Sequence, residues 1–410
     1  MSQILESVDR RPATAEASRL ENLRVAVVTH ALVSGPTYEL VRYLQTRVQS
    51  LVCVFHPLQP FSPLAPQRST CQRYSRGVLT GRRIGPRIRL PKSWVSELVC
   101  FAKDIFYTLT WCWPGRTPLD LYIGVDPLNA WVGVWLQRLG RVRRTIYYTI
   151  DYVPQRFPQR WLNTVYHAID QWCVRSCDIV WNLSERMVDA REAQGVPPSY
   201  RARQLTVPIG TDEWVPPPAP AEPHTLVFFG GLMQKQGLQL AIEALPVLQA
   251  EFPDICLLIL GGGIYEPDLR RLVEARGVGS AVRFWGVIED HGAALAQIAQ
   301  CALGVATYCE TPDNFSQYTE PGKLKAYLTA GVPIIVTRVP EIAPRLAQAE
   351  CAVVIPYDVG AFIQAVRDFF RHPERLAAFR VNALTVAARS RWTRVFAEAL
   401  DQSWPPGASA

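Results

Sequence analysis

The chain has no Asp-x-Asp pair, no Cys-x-x-Cys pair, no internal repeat and no uncharged apolar run of about 18 residues. Each absence removes a class of function. Without paired acidic residues, a diphosphate held through Mg²⁺ or Mn²⁺ is not expected, and no metal site is predicted. The 10 cysteines are scattered and do not cluster with histidine. Cys173 and Cys177 lie four apart on a predicted helix, a spacing that rarely makes a metal site alone, so they read as small buried apolar residues in a reducing compartment. The longest apolar stretches are interrupted by Lys103 or Asp126, so no membrane span is expected. The first twenty or so residues mix charges without an apolar core, unlike a signal peptide. A cytoplasmic protein is expected, peripheral at the inner membrane face if it binds lipid. No full Gly-x-Gly-x-x-Gly follows the first predicted strand, which argues against a dinucleotide oxidoreductase.

What is present is a large apolar complement. At 410 residues the chain exceeds the size at which one core stops growing, so two domains are expected. Hydrophobic residues make up 49% and charged residues 19%, the balance of a packed globular protein. The net charge of +7 is either an ordinary solvated surface or an attraction for anionic lipid or a phosphorylated ligand. No nucleic-acid partner is expected.

Short β-branched runs alternate with helical patterns: Arg24–Thr29, Leu51–Phe55, Leu121–Gly124, Thr145–Tyr148 and Asp178–Trp181 read as strands. Residues 216–223, Pro-Pro-Pro-Ala-Pro-Ala-Glu-Pro, read as a semi-rigid extended spacer. Alternation then restarts at Leu226–Phe229, Cys256–Leu260, Val282–Phe284, Leu303–Ala306, Ile334–Thr337 and Ala352–Ile355. The predicted fold class is α/β, with two doubly wound Rossmann-like domains facing a central cleft. The predicted boundaries are a disordered segment 1–22, a first domain 23–215, the linker 216–223, a second domain 224–388, and a helix and tail 389–410 crossing back to the first domain.

Two segments of the second domain look ready for anions. Thr225–Leu245 is an apolar strand ending in Gly230-Gly231, followed by Lys235 and a helix. Around Tyr318–Thr337, Pro321 begins a helical run whose first amides belong to Gly322 and Lys323. Pro suits a first helical turn, and the unpaired amides and dipole there attract anions. Two phosphate-sized sites in one domain suggest a diphosphate-bearing ligand. The glycine run 261–263 is either a close approach to a nucleotide or a bare strand-end turn. Gly35-Pro36 opens a helix after the first strand, as an anion-approach loop or an ordinary turn. Asp151 either orients an acceptor hydroxyl or caps a strand end. His30 stands at a strand end, where a lone histidine is commonly just hydrogen-bonded. Residues 82–113 carry Arg82, Arg83, Arg87, Arg89 and Lys92 before an aromatic helical run with Trp94, Phe101, Phe106, Tyr107, Trp111 and Trp113. That pattern suits an anionic membrane interface or a helix buried on a sheet.

The order of Gly35-Pro36, VPIGTD at 207–212, FFGGLMQKQG at 228–237, LILGGG at 258–263, FWGVI at 284–288 and PGKLKAYLTAGVPIIV at 321–336 resembles the GT-B retaining glycosyltransferases, family 4. The likeness runs over nearly all of residues 24–404 and is tighter in the second domain. It implies transfer of a sugar from a nucleotide-diphosphate sugar to a glycan or lipid-linked acceptor, with no cofactor beyond the donor. It also implies donor binding by Gly35, Gly230, Gly231, Lys235, Gly263, Val287, Gly322 and Lys323, with Asp151 and Glu320 as catalytic candidates. Several positions depart from the family pattern. Gly231 stands where an arginine is common, and Lys235 is shifted along its loop. Tyr318 and Ala326 occupy the places of two glutamates, with Glu310 and Glu320 nearby as substitutes. Asp151 replaces a histidine. These departures keep open a non-catalytic nucleotide-sugar-binding protein, or a GT-B nucleotide-sugar epimerase.

Overall fold

The computed structural model describes residues 20–30, 35–57, 68–87, 94–113, 115, 117–157, 159–215, 222–311 and 314–404. Most of the expected 1–22 segment, residues 216–221 of the Pro-rich stretch, and Arg89 and Lys92 of the basic run lie outside the described residues. The chain divides into two compact units, 1–207 with 396–410, and 208–395.

The first unit runs β1 (Arg24–His30), α1 (Pro36–Gln45), β2 (Ser50–His56), β3 (Thr70–Ser75), β4 (Val78–Ile84), α2 (Trp94–Cys112), β5 (Leu119–Val125), α3 (Pro127–Arg138), β6 (Val142–Thr149), α4 (Arg160–Ser176), β7 (Ile179–Asn182), α5 (Glu185–Ala193) and β8 (Gln204–Thr206). Its strands are ordered β4-β3-β2-β1-β5-β6-β7-β8. Pairing is parallel from β2 to β8. One edge differs: β3 and β4 form an antiparallel hairpin on β2. That hairpin escaped sequence reading because Thr70–Ile84 is largely polar and exposed, so it lacks a buried strand's apolar run.

The second unit runs β9 (Thr225–Phe229), α6 (Leu238–Glu251), β10 (Cys256–Leu260), α7 (Glu266–Arg276), β11 (Val282–Gly286), α8 (His291–Ala299), β12 (Leu303–Ala306), α9 (Gly322–Thr329), β13 (Ile334–Thr337), α10 (Ala343–Gln348), β14 (Ala352–Ile355), α11 (Val359–Arg371) and α12 (Pro373–Arg389). Its parallel sheet is ordered β11-β10-β9-β12-β13-β14. Successive strand residues feed opposite layers. Leu226, Phe228, Leu257 and Ile259 pack under α6, α7 and α11. Val227, Leu258 and Leu260 pack under α8, α9 and α10. A sheet buried on both faces needs continuous apolar strands, which these are.

The division falls at Val207–Pro208, ahead of the Pro-rich stretch where sequence reading put it. Side-chain and backbone ties explain the shift. The Thr211 amide bonds Ser390 O at 2.8 Å, its hydroxyl bonds Ala387 O at 2.6 Å, and Asp212 pairs with His291 at 2.9 Å. The last helix, α13 (Trp392–Ser403), begins in the second unit and from Phe396 onward belongs to the first. There Phe396 lies 5.7 Å from the Tyr43 ring, and Ser403 accepts from the Trp181 indole at 2.8 Å.

Candidate active site

In each unit the chain order reverses beside one strand pair, β1/β5 in the first and β9/β12 in the second. Open α/β sheets bind ligands outside the carboxyl ends of strands at such a reversal. In the second unit the reversal is held apart by Tyr327 of α9. Its hydroxyl sits 3.2 Å from Val227 O and 3.1 Å from Val305 O, and accepts the Phe229 amide at 2.9 Å. Gly304 makes room for that ring: a Cβ there would lie 2.7 Å from it.

Beyond Phe229 the chain turns into Gly230-Gly231 and passes beside the β10 exit. Gly230 N bonds Leu260 O at 2.9 Å and Leu232 N bonds Gly262 O at 3.0 Å. Gly261 has φ 153, and a Cβ on it would sit 1.9 Å from Gly230 O, so only glycine lets these two loops touch. A Cβ on Gly263 would strike Leu232 O at 2.3 Å. The glycine run thus serves loop-to-loop packing. Val287 follows β11 and is well exposed beside Gly262.

Lys235 lies on a 3-10 turn, Gln234–Gln236, and is half-buried. Its carbonyl accepts from Cys309 N at 3.1 Å and Asn314 Nδ2 at 3.0 Å, which ties this loop to the one after β12. Gly237 completes the tie with φ 73; a Cβ there would overlap Thr307 O at 1.6 Å.

Lys323, in the first turn of α9, is only 8% exposed. Its Nζ donates to Gln236 Oε1 at 2.7 Å and lies 3.7 Å from the Phe228 ring centroid and 5.1 Å from that of Tyr308. Among the described residues no carboxylate pairs with it, and burial alone drives its pKa well below the ordinary lysine value. The ammonium end reaches Gly230: a Cβ built there would be 3.7 Å from Nζ. Gly322, one residue earlier, is exposed with open space beside it, so the α9 N-terminus is accessible next to this lysine. A buried lysine without a carboxylate partner among the described residues, beside glycine backbone and a helix N-terminus, has the chemistry to receive an anion. Phe228, Gln236 and Tyr308 were missed by sequence reading, because only the fold brings their positions round Lys323.

Glu320, expected as a catalytic candidate, lies inside the second unit. It is buried, pairs with Lys325 at 2.9 Å and accepts the Ile209 amide. Burial raises its pKa, opposed by Lys325. Both oxygens are engaged inside the second unit, so this carboxylate is a tie that anchors the VPIGTD segment to α9.

In the first unit, Gly35 caps α1 with φ 113, and Pro36 follows as the first helical residue. Asp151 is exposed just past β6, and its carbonyl accepts from Arg156 and from Tyr166 at 3.3 Å. His30 ends β1. Its Nε2 is 3.6 Å from Asp104 and its Nδ1 3.4 Å from Asn129 Nδ2. Asp104 also meets His56 at 3.1 Å and Lys103 at 2.9 Å. Desolvation raises the Asp104 pKa, but its hydrogen bonds to both histidines hold it far below the usual carboxylate range. His56, fully buried, is pushed below the ordinary histidine value by desolvation. Among the described residues no group of three or more His, Cys, Asp or Glu could hold a metal.

Residues 223–372 match the family described as Glycosyl transferases group 1. Two curated relatives align over part of the chain. A GDP-mannose-dependent alpha-(1-6)-phosphatidylinositol monomannoside mannosyltransferase of Mycolicibacterium smegmatis is 28% identical over 219 residues, 50% of this chain and 56% of that protein. D-inositol 3-phosphate glycosyltransferase 2 of Catenulispora acidiphila is 26% identical over 192 residues, 44% of this chain and 43% of that protein. The alignments therefore span about half the length of these relatives. Among solved structures, Anabaena HepE in complex with UDP has a TM-score of 0.64 at 14% identity, covering 92% of this chain and 100% of that one. WaaG, a glycosyltransferase involved in lipopolysaccharide biosynthesis, has a TM-score of 0.61 at 15% identity, covering 93% and 100%. Residues 223–372 thus match the Glycosyl transferases group 1 family, and the chain has the GT-B fold of these solved structures.

Proposed function

We propose that this chain is a glycosyltransferase that moves a sugar from a nucleoside diphosphate to a glycan or lipid-linked acceptor, with retention and without a metal. The observation that carries the reading is Lys323, a buried ammonium with no carboxylate partner among the described residues, beside the Gly230 backbone and the α9 N-terminus. A diphosphate supplies the missing negative charge. In the reaction the bond from the anomeric carbon to the β-phosphate oxygen breaks, and charge grows on that phosphate. Lys323, Lys235 and the α9 amides oppose that charge, which is the electrostatic stabilisation a metal would otherwise give. The leaving phosphate takes the proton of the acceptor hydroxyl as the new glycosidic bond forms on the same face. The family match over 223–372 and the UDP complex of a structural relative support a nucleotide-linked donor.

A membrane-borne acceptor is favoured by α2. Its buried face is partly polar, with Asp104 and Thr108 contacting His56. Its exposed face is apolar, with Leu98, Val99, Phe101 and Phe106 open to solvent. The hairpin β3–β4 adds exposed Val78, Leu79 and Ile84 beside exposed Arg82 and Arg83. Apolar side chains with flanking arginines match the interfacial layer of an anionic leaflet, where each basic residue contributes about 1 kcal/mol. Trp111 of the aromatic run is buried on Tyr107 at 4.4 Å and belongs to the core. No helix among the described residues is long and apolar enough to cross a membrane.

The test is transfer from labelled UDP-, GDP- and ADP-sugars to membrane extracts, with the product anomer read by NMR. A retained anomer formed in EDTA supports the reading; an inverted one, or no binding of any nucleotide sugar, overturns it. Sedimentation with anionic vesicles at low salt tests docking, and protein left in the supernatant contradicts it.

A further inference from the structure

Helices α2, α3 and α4 cover one face of the first sheet. Trp111 and Cys112 of α2 share a buried cluster with Val132 and Leu136 of α3. Ala130 and Val134 of α3 share another with Cys173 and Val174 of α4. The outward stripe of a surface helix is ordinarily polar. On α3 that stripe is Trp131 and Trp135, continued by Leu139 just past the helix, and on α4 it is Trp161, Val165 and Trp172. Trp135, Leu139, Trp161 and Val165 are exposed, and Trp131 and Trp172 are half-buried. The two stripes meet, because Trp172 lies 6.4 Å from the Trp131 ring and stacks on Trp135 at 6.3 Å. Contiguous apolar patches that face solvent mark interaction surfaces.

The rim of this patch is basic. The Arg138 guanidinium sits 5.3 Å from the Trp135 ring centroid and 4.9 Å from that of Trp172. Arg141 sits 4.7 Å from the ring of Trp113, the residue after α2, and its Nε has no hydrogen-bond partner among the described residues. Arg160 and Arg175 are exposed at the two ends of α4. No acidic residue answers them: α3 contains none, and the one in α4, Asp170, is buried against Arg191. Arg138 and Arg175 lie in last helical turns, where a cation suits the helix dipole. Arg141 lies outside any helix, so the dipole does not account for it.

We infer that the outer face of α3 and α4 rests on a lipid leaflet with anionic headgroups, its tryptophans in the interfacial layer and Arg138 and Arg141 on lipid phosphates. Tryptophan favours that layer, and basic residues are drawn to it. A guanidinium fork matches phosphate oxygens, and one already held on a ring loses little freedom in binding them. An acidic polymer would engage the arginines but leave Leu139 and Val165 in water. A two-fold contact with a second copy presents the same patch from both sides, so basic rim would meet basic rim. Through Arg141 and Trp113 the face continues to the end of α2, so three helices share one contact. The inference rests on the membrane reading above for the partner, and on α3 and α4 alone for the surface.

The test sediments the full chain with phosphatidylcholine vesicles containing phosphatidylglycerol at low salt. Wild type is compared with Leu139→Glu, with the pair Arg138→Gln and Arg141→Gln, and with Phe106→Ser in α2, each matched to wild type by thermal melting. The arginine pair should weaken binding about 10- to 30-fold, near five-fold for each charge lost at an anionic surface. Leu139→Glu sets a carboxylate on the patch and should weaken it at least as much. Brominated lipid should quench wild-type tryptophan fluorescence, and the pair Trp135→Phe and Trp172→Phe should lose part of that quenching. Wild-type affinity in both the Leu139 and the arginine variants, with binding lost in Phe106→Ser, would overturn the inference and leave docking by α2 standing. Wild type left in the supernatant would overturn both. Polyglutamate bound in place of vesicles, or a wild-type dimer that Leu139→Glu makes monomeric, would give the face to an acidic protein or a second copy and overturn the leaflet contact.

Discussion

Arg191 in the first unit and Lys323 in the second are both buried cations, and they are treated in opposite ways. Arg191 is fully buried and surrounded by acceptors. It pairs with Asp170 at 2.7 Å, donates to Thr149 at 2.8 Å, and reaches Asn182 and, at 3.3 Å, Gln204. Tyr147, which donates to Asp170 at 2.6 Å, completes the set. This network joins β6, β7, β8, α4 and α5, and desolvation of the cation is more than offset, since its partners raise its pKa. Lys323 has one neutral amide oxygen and two ring faces, and nothing offsets its desolvation. A buried charge with a complete shell is part of the fold. A lysine buried with an incomplete shell is where we propose that a ligand completes it.

The comparison is broken first by removing a partner from the complete shell. Asp170→Ala leaves Arg191 unpaired in the core and should cost about 3–5 kcal/mol of stability, read by chemical denaturation. A loss below 1 kcal/mol would mean the network is not structural. Lys323→Met is the matching change in the incomplete shell. The nucleotide-free variant should be as stable as wild type or up to about 3 kcal/mol more stable, because it removes a buried charge that nothing compensates.

The pH dependence sharpens the same contrast. The folded-state pKa of Lys323 lies below its unfolded value, so the unfolded chain binds the extra proton between the depressed value and about 10.4. Stability conferred by this site therefore rises with pH across that window. The difference in melting temperature between wild type and Lys323→Met should shrink as pH rises, and a bound nucleoside diphosphate should flatten the trend. A difference that grows with pH would give the lysine the wrong sign.

Smaller effects follow at the rim. Lys235 is half-buried, less so than Lys323, so Lys235→Ala should weaken nucleotide binding by about 1 kcal/mol, less than the loss at Lys323. EDTA should leave the rate unchanged; a loss restored by Mn²⁺ would show that a metal shares the diphosphate charge.

Much of this was legible in the sequence, for physical reasons that differ between the units. The strands of the second unit are apolar throughout and glycine-punctuated, so Cys256–Leu260, Leu303–Ala306, Ile334–Thr337 and Ala352–Ile355 match their predicted bounds. Lys323 was legible because Pro321 and Gly322 announce a helix start. The polar hairpin Thr70–Ile84 and the three-residue β8 carried no apolar run to reveal them. For Glu320, closeness to α9 in sequence says nothing of Lys325 and Ile209, which engage its carboxylate in space. Asp126 was noticed only as a charge interrupting an apolar stretch. Its positive φ exists only once β5 meets β6 and α3.

The central claim is that the incomplete shell around Lys323 is a diphosphate site. Calorimetric titration of GDP and UDP into wild type and Lys323→Met tests it most directly. The account predicts that at least one nucleotide binds wild type and binds the variant about 10- to 100-fold more weakly, the loss of a charge-assisted hydrogen bond. Equal affinities for both proteins, or no binding of either nucleotide by wild type, would contradict it.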